Sequence, residues 1–173
     1  MITDPAYLAN TLDAILATAC QCLEDNTVLG RPKDCKLYHG QPPGDCCDFL
    51  GVWLERIRPV KSFPQEWGGI VRCGEVHGAA DIGIVLNRPC WPVIKDSPYS
   101  PFPPSAETDI PTTNLLIDAQ ALWCCMLVAG EDGKLNPDAE CVDMRMGSLE
   151  PTKPKGGCAG WILRFSIEMS SCC

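Results

Sequence analysis

The sequence predicts an α+β fold in which two helices pack on a mainly antiparallel sheet. Residues 5–23 and 112–128 carry apolar side chains at spacings of three and four, the pattern of an amphipathic helix. Five other segments are apolar, or alternate with a period of two, over the length of a strand. The predicted order is α-β-β-β-α-β-β, and short turns between most strands favour antiparallel pairing. The 173 residues suit a single domain, 1–173.

The first helix is predicted over residues 5–23, "PAYLANTLDAILATACQCL". Asp4 is placed to cap its N-terminus and Pro5 to be its first helical residue, because both residue types are favoured there. The apolar stripe consists of Leu8, Leu12, Ile15, Ala19 and Cys22.

Three strands are predicted between the helices. A short one spans about residues 35–39, and the turn "GQPPGD" separates it from a longer one over about 47–60. In the longer strand we expect Phe49, Trp53 and Ile57 to share one face. The third strand lies in "AADIGIVLNRPCW" and ends at Pro89. Its apolar side is Ala80, Ile82, Ile84 and Leu86, and its other side is Asp81, Gly83, Val85 and Asn87.

Residues 96–111, "DSPYSPFPPSAETDIP", hold five prolines without periodicity. This composition predicts an extended surface loop, which is either a linker or a surface for a partner. The second helix follows over 112–128, and the acidic, turn-rich segment "AGEDGKLNPDAE" comes after it. The apolar stripe of this helix is Leu115, Ala119, Leu122 and Met126, widened by Leu116 and Trp123.

Two strands close the chain before a C-terminal tail at 170–173. Alternation predicts one strand around residues 142–146 and another over 161–169. The residues expected to face the core are Val142, Met144 and Met146, and then Trp161, Leu163, Phe165, Ile167 and Met169.

The charge of the chain argues against nucleic acid as a partner. With 14 Lys and Arg against 22 Asp and Glu, the net charge is −8, and such a surface repels phosphates. No apolar run approaches the ~18 residues of a membrane span, so no membrane is expected. Asp4 stands where a signal peptide would carry a positive charge.

The thirteen cysteines raise the alternative of a zinc-binding module. Zinc sites use knuckles with two to four residues between cysteines, whereas Cys20 and Cys22 are separated by one residue and the two histidines, His39 and His77, stand apart. We therefore expect no metal and no cofactor, and interpret the cysteines mainly as small apolar residues with a disulfide or two.

The string "GGCAG" around Cys158 resembles a nucleophile elbow, in which a helix follows the nucleophile. Here the following residues, "WILRFSIEM", alternate as a strand does, so the prediction is that the protein is not an enzyme. The glycines are better explained by a turn between paired strands that needs positive φ.

Several segments together resemble a family of neck or tail-completion proteins of long-tailed phages that infect actinobacteria. They are "DCCDFLGVWLERIRPV", "RPCWPV" and the closing "MGSLEPTKPKGGCAGWILRFSIEM". That family ends with a strand, a G-x-x-x-P segment, a GGC-x-G turn and a final strand that bears Trp. The matching residues here are Gly147, Pro151, Gly156, Gly157, Cys158, Gly160 and Trp161.

The resemblance implies a tail terminator, which forms a six-membered ring on the tail tube protein, stops tube growth and joins the head-side connector. A head-side stopper or adaptor is the nearest alternative. The ring contacts are expected at Tyr99 and Phe102 in the Pro-rich segment and at Lys153 and Lys155 in the last hairpin.

The same resemblance implies assembly in the host cytoplasm, where thiols stay reduced, and a final location in the virion neck. Disulfides could then form late, after release into an oxidising medium. The cysteines expected to take part are Cys46, Cys47, Cys90 and Cys158.

Overall fold

The computed structural model describes residues 6–42, 48–69, 77–89, 105–135, 143–155 and 157–169. The predicted α+β fold is confirmed: two helices and six strands are present in this part of the chain. The elements are α1 (Tyr7–Asn26), β1 (Asp34–Tyr38), β2 (Phe49–Ser62), β3 (Gln65–Glu66), β4 (His77–Pro89), α2 (Ser105–Glu131), β5 (Met144–Pro151) and β6 (Cys158–Met169). The short strand β3 was not predicted, so the order gains one element.

The strands form one mixed sheet in the order β1-β2-β4-β6-β5, with β3 paired to β2. All pairs except one are antiparallel, and β1 runs parallel to β2. Ten residues separate Tyr38 from Phe49, and an extended decapeptide reaches about 33 Å. That is about twice the ~16 Å length of a five-residue strand, so the chain can return to its starting edge without a helix.

Both helices pack on the same side of the sheet, which we call the helical face. Its core joins residues of both helices to alternate residues of β2, β4 and β6. The predicted side of β4 is confirmed here, because Ala80, Ile82, Ile84 and Leu86 are all fully buried. The opposite side, called the open face, carries Asp81, Gly83, Val85 and Asn87.

Helix α1 begins at Tyr7, and Ala6 before it makes no side-chain cap. The predicted cap Asp4 and first helical residue Pro5 lie outside the described residues. Ile15, Ala19 and Cys22 are buried as predicted, whereas Leu8 and Leu12 are only partly buried.

A β-bulge at Glu55 changes which residues of β2 face the core. The register shifts between Leu54 and Arg56, so that Arg56 pairs with Asp81 on the open face. The prediction that Ile57 shares a face with Phe49 and Trp53 is therefore wrong. Ile57 is on the helical side, beyond the cover of the helices, and 55% exposed.

Helix α2 is longer than predicted at both ends. It begins at Ser105 and contains Pro111, so the expected Pro-rich loop over 96–111 is wrong for residues 105–111. The string "SAETD" places Ser and acidic residues at the helix start, where they are favoured, and this opposes the unfavourable effect of an interior proline. Residues 96–104 lie outside the described residues.

The β5–β6 hairpin places the glycine-rich string in a tight turn. Lys155 and Cys158 exchange two backbone hydrogen bonds of 3.0 Å, and Gly157 has φ = 81°, which confirms the predicted need for positive φ. Strand β6 begins at Cys158 rather than at Trp161. Val142 and the tail at 170–173 lie outside the described residues.

Trp161 anchors β6 to α2. Its indole Nε1 donates a 2.7 Å hydrogen bond to the Leu115 carbonyl, and its side chain is partly buried. The remaining predicted core residues of this strand are buried: Leu163, Phe165, Ile167 and Met169.

Candidate interaction surfaces

One end of the open face is apolar. Phe49, Trp53 and Val85 form a buried cluster, with Tyr38 and Ile162 packed against it. The Trp53 ring lies across Gly83, where a Cβ atom would overlap the indole. The lack of a side chain at Gly83 therefore lets this large ring lie flat on the sheet.

The other end of the open face is built on Asp81. Its carboxylate accepts hydrogen bonds from Arg56 Nε at 2.6 Å, Arg58 Nε at 3.1 Å and Ser166 Oγ at 2.6 Å. Burial alone would raise the pKa of Asp81, but the hydrogen bonds from Ser166, Arg56 and Arg58 outweigh it and hold the pKa below its ordinary value. A carboxylate with a lowered pKa is a weak base, so this arrangement orients Ser166 and does not activate it.

A groove of about 530 Å³ lies beside Asp81 and is lined by further ion pairs. Arg164 Nε lies 2.8 Å from Glu55 Oε1 and its Nη1 lies 3.5 Å from Glu150, while Arg56 Nη2 lies 3.1 Å from Glu66. The arginines of the groove are thus matched by carboxylates. This balance is typical of a structural ion-pair network.

Arg88 is a buried cation that joins three parts of the chain. Its Nε donates to Asp118 at 3.1 Å, its Nη1 to Asp48 at 3.0 Å and its Nη2 to the Gly30 carbonyl at 2.5 Å. Burial raises the pKa of Asp118, and the charge of Arg88 opposes that shift. The residue links β4 to α2 and to the connection after α1.

Helices α1 and α2 enclose a groove of about 640 Å³ on the outside of the helical face. The disulfide between Cys22 and Cys125 lies in its lining, and the exposed free thiol of Cys124 is next to it. Asp25 and Val128 also line the groove. This region combines apolar surface, a thiol and one residue of each charge, Asp25 and Lys134.

The outward side of α2 also exposes large hydrophobic side chains. One set of its exposed residues recurs every four positions, and two members of this set are large hydrophobic side chains, Leu116 at 56% and Val128 at 51% exposure. We call this surface the α2 stripe. It is formed by Thr112, Leu116, Gln120, Cys124 and Val128.

The segment Pro111–Glu131 of α2 is also long and apolar enough to span a membrane, with a mean hydropathy of 1.3. Of its most apolar stretch of 18 residues, 33% is buried inside the molecule. The prediction that no apolar segment approaches that length is therefore wrong by these criteria, because Asp118 is the only charged residue between Pro111 and Gly130. The same criteria are met by helices that pack in a protein core, and Leu122 and Met126 of this helix are fully buried against the sheet.

The disulfides involve cysteines that the sequence did not single out. Cys20 is bonded to Cys35 and Cys22 to Cys125, so α1 is joined to β1 on one side and to α2 on the other. Cys20 and Cys22 are separated by one residue of α1, so their side chains leave the helix in different directions. This spacing could have predicted two disulfides to different neighbouring elements.

Of the four predicted cysteines, Cys158 is 5% exposed and disulfide-bonded. Cys46, Cys47 and Cys90 lie outside the described residues. Among the residues that the structure describes, no group of three His, Cys, Asp or Glu side chains could hold a metal ion.

The two lysines predicted for ring contacts, Lys153 and Lys155, are exposed at the β5–β6 hairpin. Tyr99 and Phe102 lie outside the described residues. His77 opens β4, whereas Cys158 is paired opposite Pro89 at the other end of that strand. The two residues are therefore about 40 Å apart, and His77 cannot serve as a base for Cys158.

The comparisons with known proteins leave the family of the chain open. No model of a known protein family matches it, and no curated protein is significantly similar to it in sequence.

Proposed function

We propose that this protein is a structural protein of the phage neck, a tail terminator that forms a ring on the tail tube and joins it to the head. The proposal combines the sequence resemblance described above with one structural observation. That observation is the α2 stripe, which exposes Leu116 and Val128 on the outside of the molecule.

The stripe is a surface that association would bury. Leu116 and Val128 are more than half exposed and lie twelve residues, about 18 Å, apart along the helix. Burying a Leu or Val side chain completely contributes about 1.5–3 kcal/mol. An α2 surface of this kind supports a subunit that functions in an assembly.

The residues that carry the resemblance occupy structural positions, as expected of a packing protein. Gly157 has positive φ in the hairpin, Gly160 leaves space for the Leu86 carbonyl, and Trp161 is hydrogen-bonded to Leu115. These roles explain why the fold needs residues of these types, and they do not by themselves point to one activity.

The deciding experiment is electron microscopy of particles produced without this protein. A terminator predicts tails of uncontrolled length without heads, because nothing stops polymerisation of the tube. Tails of normal length beside unattached, leaky heads would contradict the terminator and support a head-side stopper. Particles of normal appearance would contradict any role in the neck.

A further inference from the structure

The groove between α1 and α2 brings a disulfide and a free thiol together. The bonded pair Cys22–Cys125 and the thiol of Cys124 all line it. The disulfide Cys20–Cys35 packs in the core of the helical face instead. Of these two disulfides, one is therefore presented to a groove on the outside of the molecule and the other is held in its interior.

The two sulfur atoms of the groove disulfide differ in exposure. Cys125 is partly exposed, whereas Cys22 is 5% exposed. A thiolate that opens a disulfide bonds to one sulfur and expels the other, and access helps to decide which sulfur is attacked. We therefore expect attack at Cys125 Sγ, with Cys22 Sγ as the leaving group.

The inner sulfur already has neighbours that suit a free thiol. Cys22 Sγ lies 3.3 Å from the Ala121 carbonyl oxygen, which can accept the hydrogen of an S–H group. Asn26 Nδ2 lies 3.8 Å from both Cys22 Sγ and Cys125 Sγ. The same amide donates to the Cys22 carbonyl at 2.9 Å, which holds it in place. These contacts stabilise Cys22 first as the leaving thiolate and then as the thiol.

The groove has the size and the charges to take a small zwitterionic thiol. Its volume of about 640 Å³ is within the range of pockets that bind small molecules. Asp25 and Lys134 supply one carboxylate and one ammonium to its lining, and the ammonium also pairs with Asp132 at 2.8 Å. A ligand that carries both an amine and a carboxylate complements these two charges.

We propose that this groove is a thiol-exchange site, in which a small zwitterionic thiol bonds to Cys125 and opens the link between α1 and α2. The thiol loses its proton to water, its sulfur bonds to Cys125 Sγ, and the bond between Cys22 and Cys125 breaks. The electron pair of that bond goes to Cys22 Sγ, which takes a proton from water. One disulfide replaces another, so the step needs no oxidant or reductant. This inference goes beyond the proposed function and does not depend on it.

Exchange is measured on the full oxidised chain with reduced glutathione as the thiol, at about pH 8 and without oxygen. Samples are quenched with acid, free thiols are blocked with N-ethylmaleimide, and the peptides are identified by mass spectrometry. We expect glutathione on Cys125, a blocked Cys22 and an intact Cys20–Cys35 bond. The groove disulfide should open at least about tenfold faster than the core disulfide. Both bonds are in one molecule, so this comparison requires no variant.

Variants of the groove lining test the surroundings of the disulfide. Asn26→Ala should slow the exchange about fivefold, because the leaving sulfur loses its hydrogen-bond donor. Gln21→Ala, a matched control in the same groove, should leave the rate unchanged. Lys134→Ala should slow exchange with glutathione about threefold, but not exchange with the uncharged β-mercaptoethanol. Circular dichroism of each variant checks that the fold is kept.

Equal opening rates of the two disulfides would overturn the inference. Glutathione on Cys22 instead of Cys125, or oxidised protein without a bond between them, would do the same. Covalent multimers joined through Cys124 would also contradict it, because the thiol that enters the groove would then belong to a second copy. Cys124→Ser should therefore leave the rate of exchange at Cys125 unchanged.

Discussion

The guanidinium of Arg88 and the carboxylate of Asp118 form an ion pair of 3.1 Å in which both side chains are 1% exposed. The pair connects the last part of β4 to the middle of α2. Asp118 Oδ1 has no hydrogen-bond partner within the described residues, so the carboxylate depends mainly on Arg88 for compensation of its burial.

Arg88→Ala should destabilise the fold by about 3–5 kcal/mol, because it leaves Asp118 buried without its cation. Chemical denaturation monitored by circular dichroism measures this change. The double variant Arg88→Met with Asp118→Leu should recover much of the loss, since apolar residues need no compensation. Equal stability of Arg88→Ala and the unchanged protein would show that the pair contributes little.

Asp81→Asn should lower stability at pH 7 by about 2 kcal/mol, because the carboxylate accepts charge-assisted hydrogen bonds from two arginines. The pKa of Asp81 is below its ordinary value of 3.8. Its contribution is therefore present above pH 3.8 and is lost as the pH falls through the pKa of the folded state. Urea denaturation from pH 7 to pH 2 should show the two proteins converging at the acid end. A difference that stays constant with pH would contradict this account.

Cys125→Ser removes the disulfide between α1 and α2, whose cysteines are 103 residues apart in sequence. The oxidised protein should lose about 2–5 kcal/mol of stability. With excess reductant the variant and the unchanged protein should be equally stable, because neither then has the bond. Cys124→Ser is the matched control, since this neighbouring thiol is free and exposed. A similar loss in the control would point to packing rather than to the disulfide.

Replacing Leu116 and Val128 by Asn should impair assembly without unfolding the protein. Both side chains are more than half exposed, so the melting temperature should change little. In particles made with this variant as the sole copy, we expect overlong, headless tails in electron micrographs. Thr113→Asn is an exposed control on the same helix. Normal particles from the double variant would exclude the α2 stripe as a subunit contact.

The periodicity of the chain was enough to predict most of the elements. Strand β4 was predicted because one of its sides alternates strictly, and the hairpin turn because Gly156 and Gly157 precede a strand. The extent of α2 was underestimated, because Pro111 was interpreted as part of a loop, although residues typical of a helix start precede it. The bulge at Glu55 was missed since nothing in the local pattern marks it.

The candidate surfaces were predicted only in part. Lys153 and Lys155 were expected at a contact from their place in the hairpin, and both are exposed. In the sequence, the α2 stripe could be recognised only as an excess of apolar residues in one helix, and the sequence did not show which of them are exposed.

The sequence by itself determined most of the helices and strands, although not β3 or the start of α2, and it determined which side of β4 enters the core. These features depend on spacings of two to four residues. The tertiary structure alone decided the parallel pairing of β1, the partners of Cys20 and Cys22, and the burial of Arg88 against Asp118. Each of these joins residues distant in sequence. Such contacts depend on how the helices and the sheet pack together, which local periodicity does not specify.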